Sequence, residues 1–353
     1  MSSETSESPH PLNPADVLPP VEPPSAGFIV KLFLIPLIIV GVVCSILGLI
    51  YWIRSAGEDV SRYVDALERN DEGRWQAAVN LSNALNKRGN EKYRADPELL
   101  KRVTGVFDAE LSRGSMDDKA IELRYFLTRV LGELHQSEAV PPLVKGLTTK
   151  RSEKEIDVRL GAIQGLSRLI PNISAAKPQD DKKLTSALVD AAGDESPVVR
   201  YHAAYALALF DGSEFVPLLE KLLDDSAFDV RANAACGLAR HGDPNCVSQL
   251  AKMLDPTELA EQVEKVQPKE RSFKRTTLLS NGFAAAKMLH QNAPQVDVKP
   301  IIESVDKLLA TELTTDVKLA AEDVRRELVA PAKPIASPTA TGSATATGTS
   351  AKS

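Results

Sequence analysis

Cys236, His241 and Cys246 stand at a C-x4-H-x4-C spacing, two thiols and an imidazole in the stretch whose residue types most suggest a metal. Structural zinc takes four ligands with at least one close cysteine pair, and this spacing offers neither. The other cysteine is Cys44, and three scattered cysteines do not make a disulfide framework. His10, His135, His202, His241 and His290 are scattered singly, as non-catalytic histidines are. The chain shows no glycine-rich phosphate loop, nucleophile elbow or Ser/His/Asp set. Its many carboxylates do not stand out from a solvated helical face. These observations predict no enzyme, no metal and no cofactor.

The chemistry that does recur is arginine. Arg200 and Arg231 are 31 residues apart, and the same shift carries Val199 to Val230, Ala203-Ala204 to Ala234-Ala235, Leu207 to Leu238, Val216 to Val247 and Leu219 to Leu250. The shift also places His241 and Cys246 on Phe210 and Phe215, which reads as packing rather than ligation. Within each copy the apolar residues Val199, Ala203, Leu207 and Phe210 have helical spacing, and a turn at Asp211-Gly212 leads into a second apolar helix from Val216 to Leu223. Each unit is a helix pair, which cannot bury its apolar face without a neighbour. Ser196 is placed as a helix N-cap with Pro197 at the first helical position. Two further units are in register upstream, at Arg124 and at Arg159, the latter lengthened by "NISAAKPQDDKK". A recurring arginine suits an anion ladder or planar bridging pairs between units, and the second use is expected. Asp157 and Asp229 are expected as helix caps and Asp225 in the turn between helices.

The "V-R-x-x-A-A-x-x-L" core and the "G-D-P-x-x-V" turn (Gly242, Asp243, Pro244, Val247) resemble the HEAT-like repeats of phycobilisome-lyase-type and scaffold proteins. The resemblance is clear over residues 118–255, and "TTLLSNGFAAAKMLH" and "DVKLAAEDVRREL" look like eroded copies. It implies an all-α solenoid over 118–330 and a protein-binding scaffold. The alternative it brings is a bilin-lyase-like protein acting on a tetrapyrrole-bearing partner, although no residue here matches bilin chemistry. "DPTELAEQVEKVQPKERSFK" reads as a charged insertion, a loop with a helical piece.

Residues 1–27 hold four carboxylates, no Lys or Arg, and many prolines, a composition expected to be disordered. Residues 28–54 follow as an expected transmembrane helix, because Leu32 to Ile53 is 22 residues without a charge and a bilayer core is about 30 Å thick. Arg54, Arg62 and Arg69 follow this run while only Lys31 precedes it nearby. That bias places the repeats in the cytoplasm and the amino terminus outside, in a single-pass membrane protein. Gly41 and Ser45 form a small-xxx-small pair suited to a weak homodimer. Residues 55–117 read as helices, "YVDALERNDEGRWQAAVNLSNAL" resembling one degenerate tetratricopeptide-like hairpin, and 331–353 as a disordered low-complexity tail.

A net charge of −6 argues against nucleic acid. The expected partner is a protein. Counting from each register arginine, positions +2, +5 and +9 share one helix face, and stacking aligns the faces into a ridge. The ridge carries more Arg than Glu, so the expected contact is an acidic segment. Its expected binding residues are Arg129, Arg168, Tyr201, His202, Tyr205, Asn233 and Arg240.

Overall fold

The computed structural model describes residues 25–55, 60–69 and 71–330. The segments 1–24 and 331–353, expected to be disordered, lie outside the described residues. The chain divides into two compact units, Met1–Gly57 and Glu58–Ser353.

In the first unit α1 runs from Ala26 to Ser55, so it takes in Ala26 and Gly27, which the sequence reading had left in the preceding tail. Its stretch Ala26–Leu49, 24 residues, is long and apolar enough to cross a membrane by length and composition. The apolar side chains along it are exposed, Phe33 at 70% and Leu37 at 67%. The Ser45 hydroxyl donates to the Gly41 carbonyl at 2.8 Å, within the helix.

The second unit is helical throughout its described residues, with no strand. Its first helices are α2 (Ser61–Glu68), α3 (Arg74–Leu85), α4 (Pro97–Arg113), α5 (Asp118–Glu133) and α6 (Val140–Thr148). There follow α7 (Ile156–Asn172), α8 (Lys182–Ala192), α9 (Pro197–Leu207), α10 (Val216–Leu222) and α11 (Phe228–Arg240). The last are α12 (Val247–Leu254), α13 (Pro256–Glu264), α14 (Arg271–Asn292), α15 (Lys299–Leu309) and α16 (Thr315–Val329). One row stacks α3, α5, α7, α9, α11, α14 and α16 in turn, and α4, α6 and α8 stack in a second row behind it. Helices α12 and α15 pack together in the same way. This is an all-α, HEAT-like solenoid with one continuous core from Val60 to Leu328.

Helix starts are set by aspartates more than by the expected serine. Asp96 accepts from the amides of Glu98 and Leu99, with Pro97 at the first helical position. Asp117, Asp181 and Asp255 cap α5, α8 and α13 in the same manner. Ser196 does occupy the cap position of α9, yet its hydroxyl makes no capping bond. Asp194 instead accepts from the Ser196 amide at 3.0 Å. Asp157 and Asp229 are not caps either; both lie inside the first turns of α7 and α11. The "RSFK" at the end of the expected insertion loop is the first turn of α14, a helix of 22 residues.

Small residues let the rows close up. Ala203, Ala204, Leu207, Ala234, Ala235 and Leu238 are fully buried. Between α5 and α7 the backbones themselves meet at Gly132 and Gly165.

Three of the four register arginines, Arg124, Arg159 and Arg200, hold neighbouring units together. Arg200 is bidentate on Asp225, at 2.6 and 2.8 Å, and also donates to the Asp194 carbonyl. Arg159 pairs with Asp194, which takes Lys150 at 2.8 Å as well. Arg124 is fully buried, 3.5 Å from Glu155, and donates to the Ser115 carbonyl at 2.8 Å. Arg231 pairs with no carboxylate; it donates to the carbonyls of Asp225 and Ser226, at 2.7 and 3.1 Å, and lies 5.4 Å from the Phe228 ring centroid. The Arg200 hydrogen bonds hold the Asp225 carboxyl below its usual range. Burial pushes Asp194 and Glu155 up, but Lys150 and the Ser196 amide on one, and Arg151 on the other, bring both below it. The guanidinium groups of Arg124, Arg159 and Arg200 bridge units, the second of the two uses the spacing allowed.

Candidate protein-binding surface

Five helices of the front row carry the residues that the sequence singles out or that the structure adds beside them. Arg129 lies on α5, Arg168 on α7, Tyr201, His202 and Tyr205 on α9, and Asn233 and Arg240 on α11. Direct contacts link these faces in successive helices. Arg168 Nε lies 3.5 Å from a Glu133 carboxylate oxygen, joining α7 to α5. Gln164 Nε2 and His202 Nε2 are 3.3 Å apart, joining α7 to α9. Asn233 Nδ2 donates to the Tyr201 carbonyl at 3.0 Å, joining α9 to α11.

The seven residues differ in what they leave free. Tyr205 is 47% exposed and Arg240 is exposed, while Asn233 is 6% exposed and donates to the Tyr201 carbonyl of α9. Arg129 and Arg168 are half-buried, and Arg129 Nε and Arg168 Nη1 have no hydrogen-bond partner. The Arg129 guanidinium sits 5.8 Å from the Phe126 ring centroid. Burial pushes the Tyr201 phenol up and holds the His202 imidazole below its usual value, so both are neutral at physiological pH.

Five of the seven converge on two adjoining cavities between α9, α11 and α14. The larger, about 330 Å³, is lined by Tyr201, His202 and Asn233. The smaller, about 160 Å³, is lined by Tyr205, Asn233 and Arg240. Asn233 and Asn281 line both. Arg129 and Arg168 line neither and lie further along the row.

The far wall belongs to α14, whose contribution the sequence reading lacked. Phe273, Lys274, Thr277 and Leu278 line the larger cavity, and Ala284 and Met288 the smaller. Phe273 is 76% exposed. Lys274 forms an ion pair with Asp229 across the cavity mouth. The missed signal was the helical spacing of Phe273, Thr277 and Asn281, hidden because the Val-Arg pair is lost in this unit.

Cys236 lies half-buried on the same face and Cys246 is fully buried behind it. Burial pushes both thiols up to about 12, and Cys246 Sγ donates to the Asp243 carbonyl at 3.0 Å. Both are packing thiols at neutral pH, since the thiolate is the metal-binding form. Among the described residues no group of three or more His, Cys, Asp or Glu side chains is placed to hold a metal ion.

Residues 185–263, from within α8 to within α13, match the family model described as HEAT repeats. Among solved structures, the chain is similar to the complex of CpcE and CpcF of phycocyanin lyase from Nostoc at 19% identity, covering 77% of this chain and 95% of that one, TM-score 0.43. It is similar to a designed armadillo repeat protein in complex with a (KR)4 peptide at 16% identity, covering 77% of this chain and 100% of that one, TM-score 0.36. A third is human deoxyhypusine hydroxylase in complex with glycerol, 16% identical over 80% of this chain and 99% of that one, TM-score 0.26. No curated protein matches the chain in sequence. Residues 185–263 thus carry HEAT repeats, and the helix stacking seen there continues on either side.

Proposed function

We propose that the chain is a membrane-anchored scaffold whose front-row ridge binds an acidic segment of a protein partner. The observation that carries this reading is the convergence of Tyr201, His202, Tyr205, Asn233 and Arg240 on two adjoining cavities, with Arg129 and Arg168 further along. Tyrosine and arginine are favoured interface anchors. The test is the triple variant Tyr201→Ala/Tyr205→Ala/Arg240→Glu, compared with the parent in proximity labelling. Unchanged labelling by a variant that melts like the parent sinks the reading.

Helix α1 supplies the anchor in this reading, with the repeats on the cytoplasmic side because Arg54, Arg62 and Arg69 follow it. Alkaline extraction should leave the full chain in the membrane fraction and release a fragment beginning at Glu58. Release of both would remove the anchor. The Gly41/Ser45 pair is the proposed seam of a weak dimer, which Gly41→Ile should weaken in detergent. A tetrapyrrole co-purifying with the chain would favour the lyase-like reading instead.

A further inference from the structure

We propose that the cavity between α9, α11 and α14 is an anchor pocket for one bulky apolar side chain of the partner, and that the groups around it select carboxylates on either side of that anchor. This inference rests on the ridge being the binding face and says what the ridge takes.

The lining is apolar with a polar waist. Pro197, Val198, Ala227, Met253 and Leu278 form much of the larger cavity, and Asn233 and Asn281 sit where it adjoins the smaller one. A volume of about 330 Å³ lies at the lower end of the range for sites that enclose organic groups, about 300–1,000 Å³. Two apolar side chains stand exposed at its rim, Val198 at 48% and Phe273 at 76%. Exposed apolar groups beside an open apolar cavity are what a docking partner would cover.

Charge decides the kind of partner. Asp229 is the carboxylate lining these cavities, and Lys274 already neutralises it. Arg240 lines the smaller cavity, and no carboxylate among the described residues pairs with it. Arg271 and Arg275 flank Phe273 in the first turns of α14, both exposed. Arg271 reaches only the carbonyls of Val266 and Glu264, at 3.5 Å each. Cations thus stand at the smaller cavity and in the turns of α14 around the exposed Phe273, on a protein whose net charge is −6. An acidic peptide with a central Leu, Met or aromatic residue complements that arrangement; a basic or fully polar one does not.

The experiment selects random displayed peptides on the full chain in detergent. It then measures the winners on three variants that melt like the parent. Thr277→Trp fills the cavity from its half-buried wall. Val198→Glu, at an exposed position, puts a carboxylate on the rim. Arg129→Glu/Arg168→Glu alters the ridge away from the cavity. The expected winners carry one bulky apolar residue flanked by Asp or Glu, weaken as salt rises, and lose at least about tenfold in affinity on Thr277→Trp and on Val198→Glu. Winners that survive both cavity variants but are lost on the Arg129/Arg168 variant overturn the pocket and leave the ridge standing. Winners that survive all three overturn both. Self-association of the chain that Thr277→Trp abolishes puts a second copy in the groove and overturns the acidic peptide.

Discussion

Gly132 and Gly165 meet backbone to backbone: a Cβ on Gly132 would lie 2.4 Å from Gly165 Cα and 3.0 Å from its carbonyl oxygen. Neither atom belongs to a side chain that can rotate away. Gly132→Ala must therefore push α5 off α7, at a cost of about 1–3 kcal/mol. Gly105, exposed inside α4, has nothing within 4 Å of the same position. Gly105→Ala should stabilise by about 0.5–1 kcal/mol, through helix propensity alone. Urea melts of the two variants should move in opposite directions.

Asp225→Ala leaves the Arg200 guanidinium, 15% exposed, without its bidentate partner, and also frees the Ala227 amide. The expected loss is about 3 kcal/mol. Arg231→Met should cost less than about 1 kcal/mol, because Arg231 pairs with no carboxylate and donates to carbonyls. Equal losses in denaturant titrations would contradict the roles given to these two arginines.

How much of this was legible beforehand depends on what a single repeat can reveal. Arg200, Ala203, Ala204 and Leu207 recur at fixed spacing because each unit must solve the same packing problem, so the solenoid could be read directly. The role of Asp225 in the turn was readable for the same reason. The burial of Asn233 was not, since a helical wheel shows one helix and the contact with the Tyr201 carbonyl belongs to two. Likewise Glu133 and Arg168 looked like independent charges until stacking set them side by side. Phe273 and Lys274 stayed hidden inside an apparent loop because α14 begins before its repeat signature does.

Acid should loosen the repeats through the bridging carboxylates. Asp225, Asp194 and Glu155 are all held below their usual values in the folded chain. Such groups contribute stability that is complete above the unfolded value, about 4, and is lost as pH falls through the lower folded value. Thermal midpoints should be flat from neutral pH down to about 5 and then fall. In Asp225→Asn the fall should be shallower, and an identical slope would remove Asp225 from the account.

The two solenoid thiols should resist alkylation in the native chain, since burial pushes both up to about 12. Mass spectrometry after brief iodoacetamide treatment at mildly alkaline pH should find Cys236 and Cys246 unmodified, and both modified in denaturant. Rapid native labelling of Cys236 would show that the α11–α14 face opens.

Counting on by the repeat length, Asp194 leads to Asp225, and Asp225 leads to Pro256, where the extra helix α13 begins. Arg231 thus has no carboxylate to reach, and the space between α11 and α14 is occupied in part by the two cavities. In a linear array, cooperativity is carried by nearest-neighbour coupling and breaks where that coupling is weakest. The solenoid should therefore behave as two foldons joined at α11. Native-state hydrogen exchange would show amides of α12–α16 opening together at a lower free energy than those of α4–α9. A seam of that kind lets the carboxyl-terminal block reseat on the rest while the amino-terminal block stays closed.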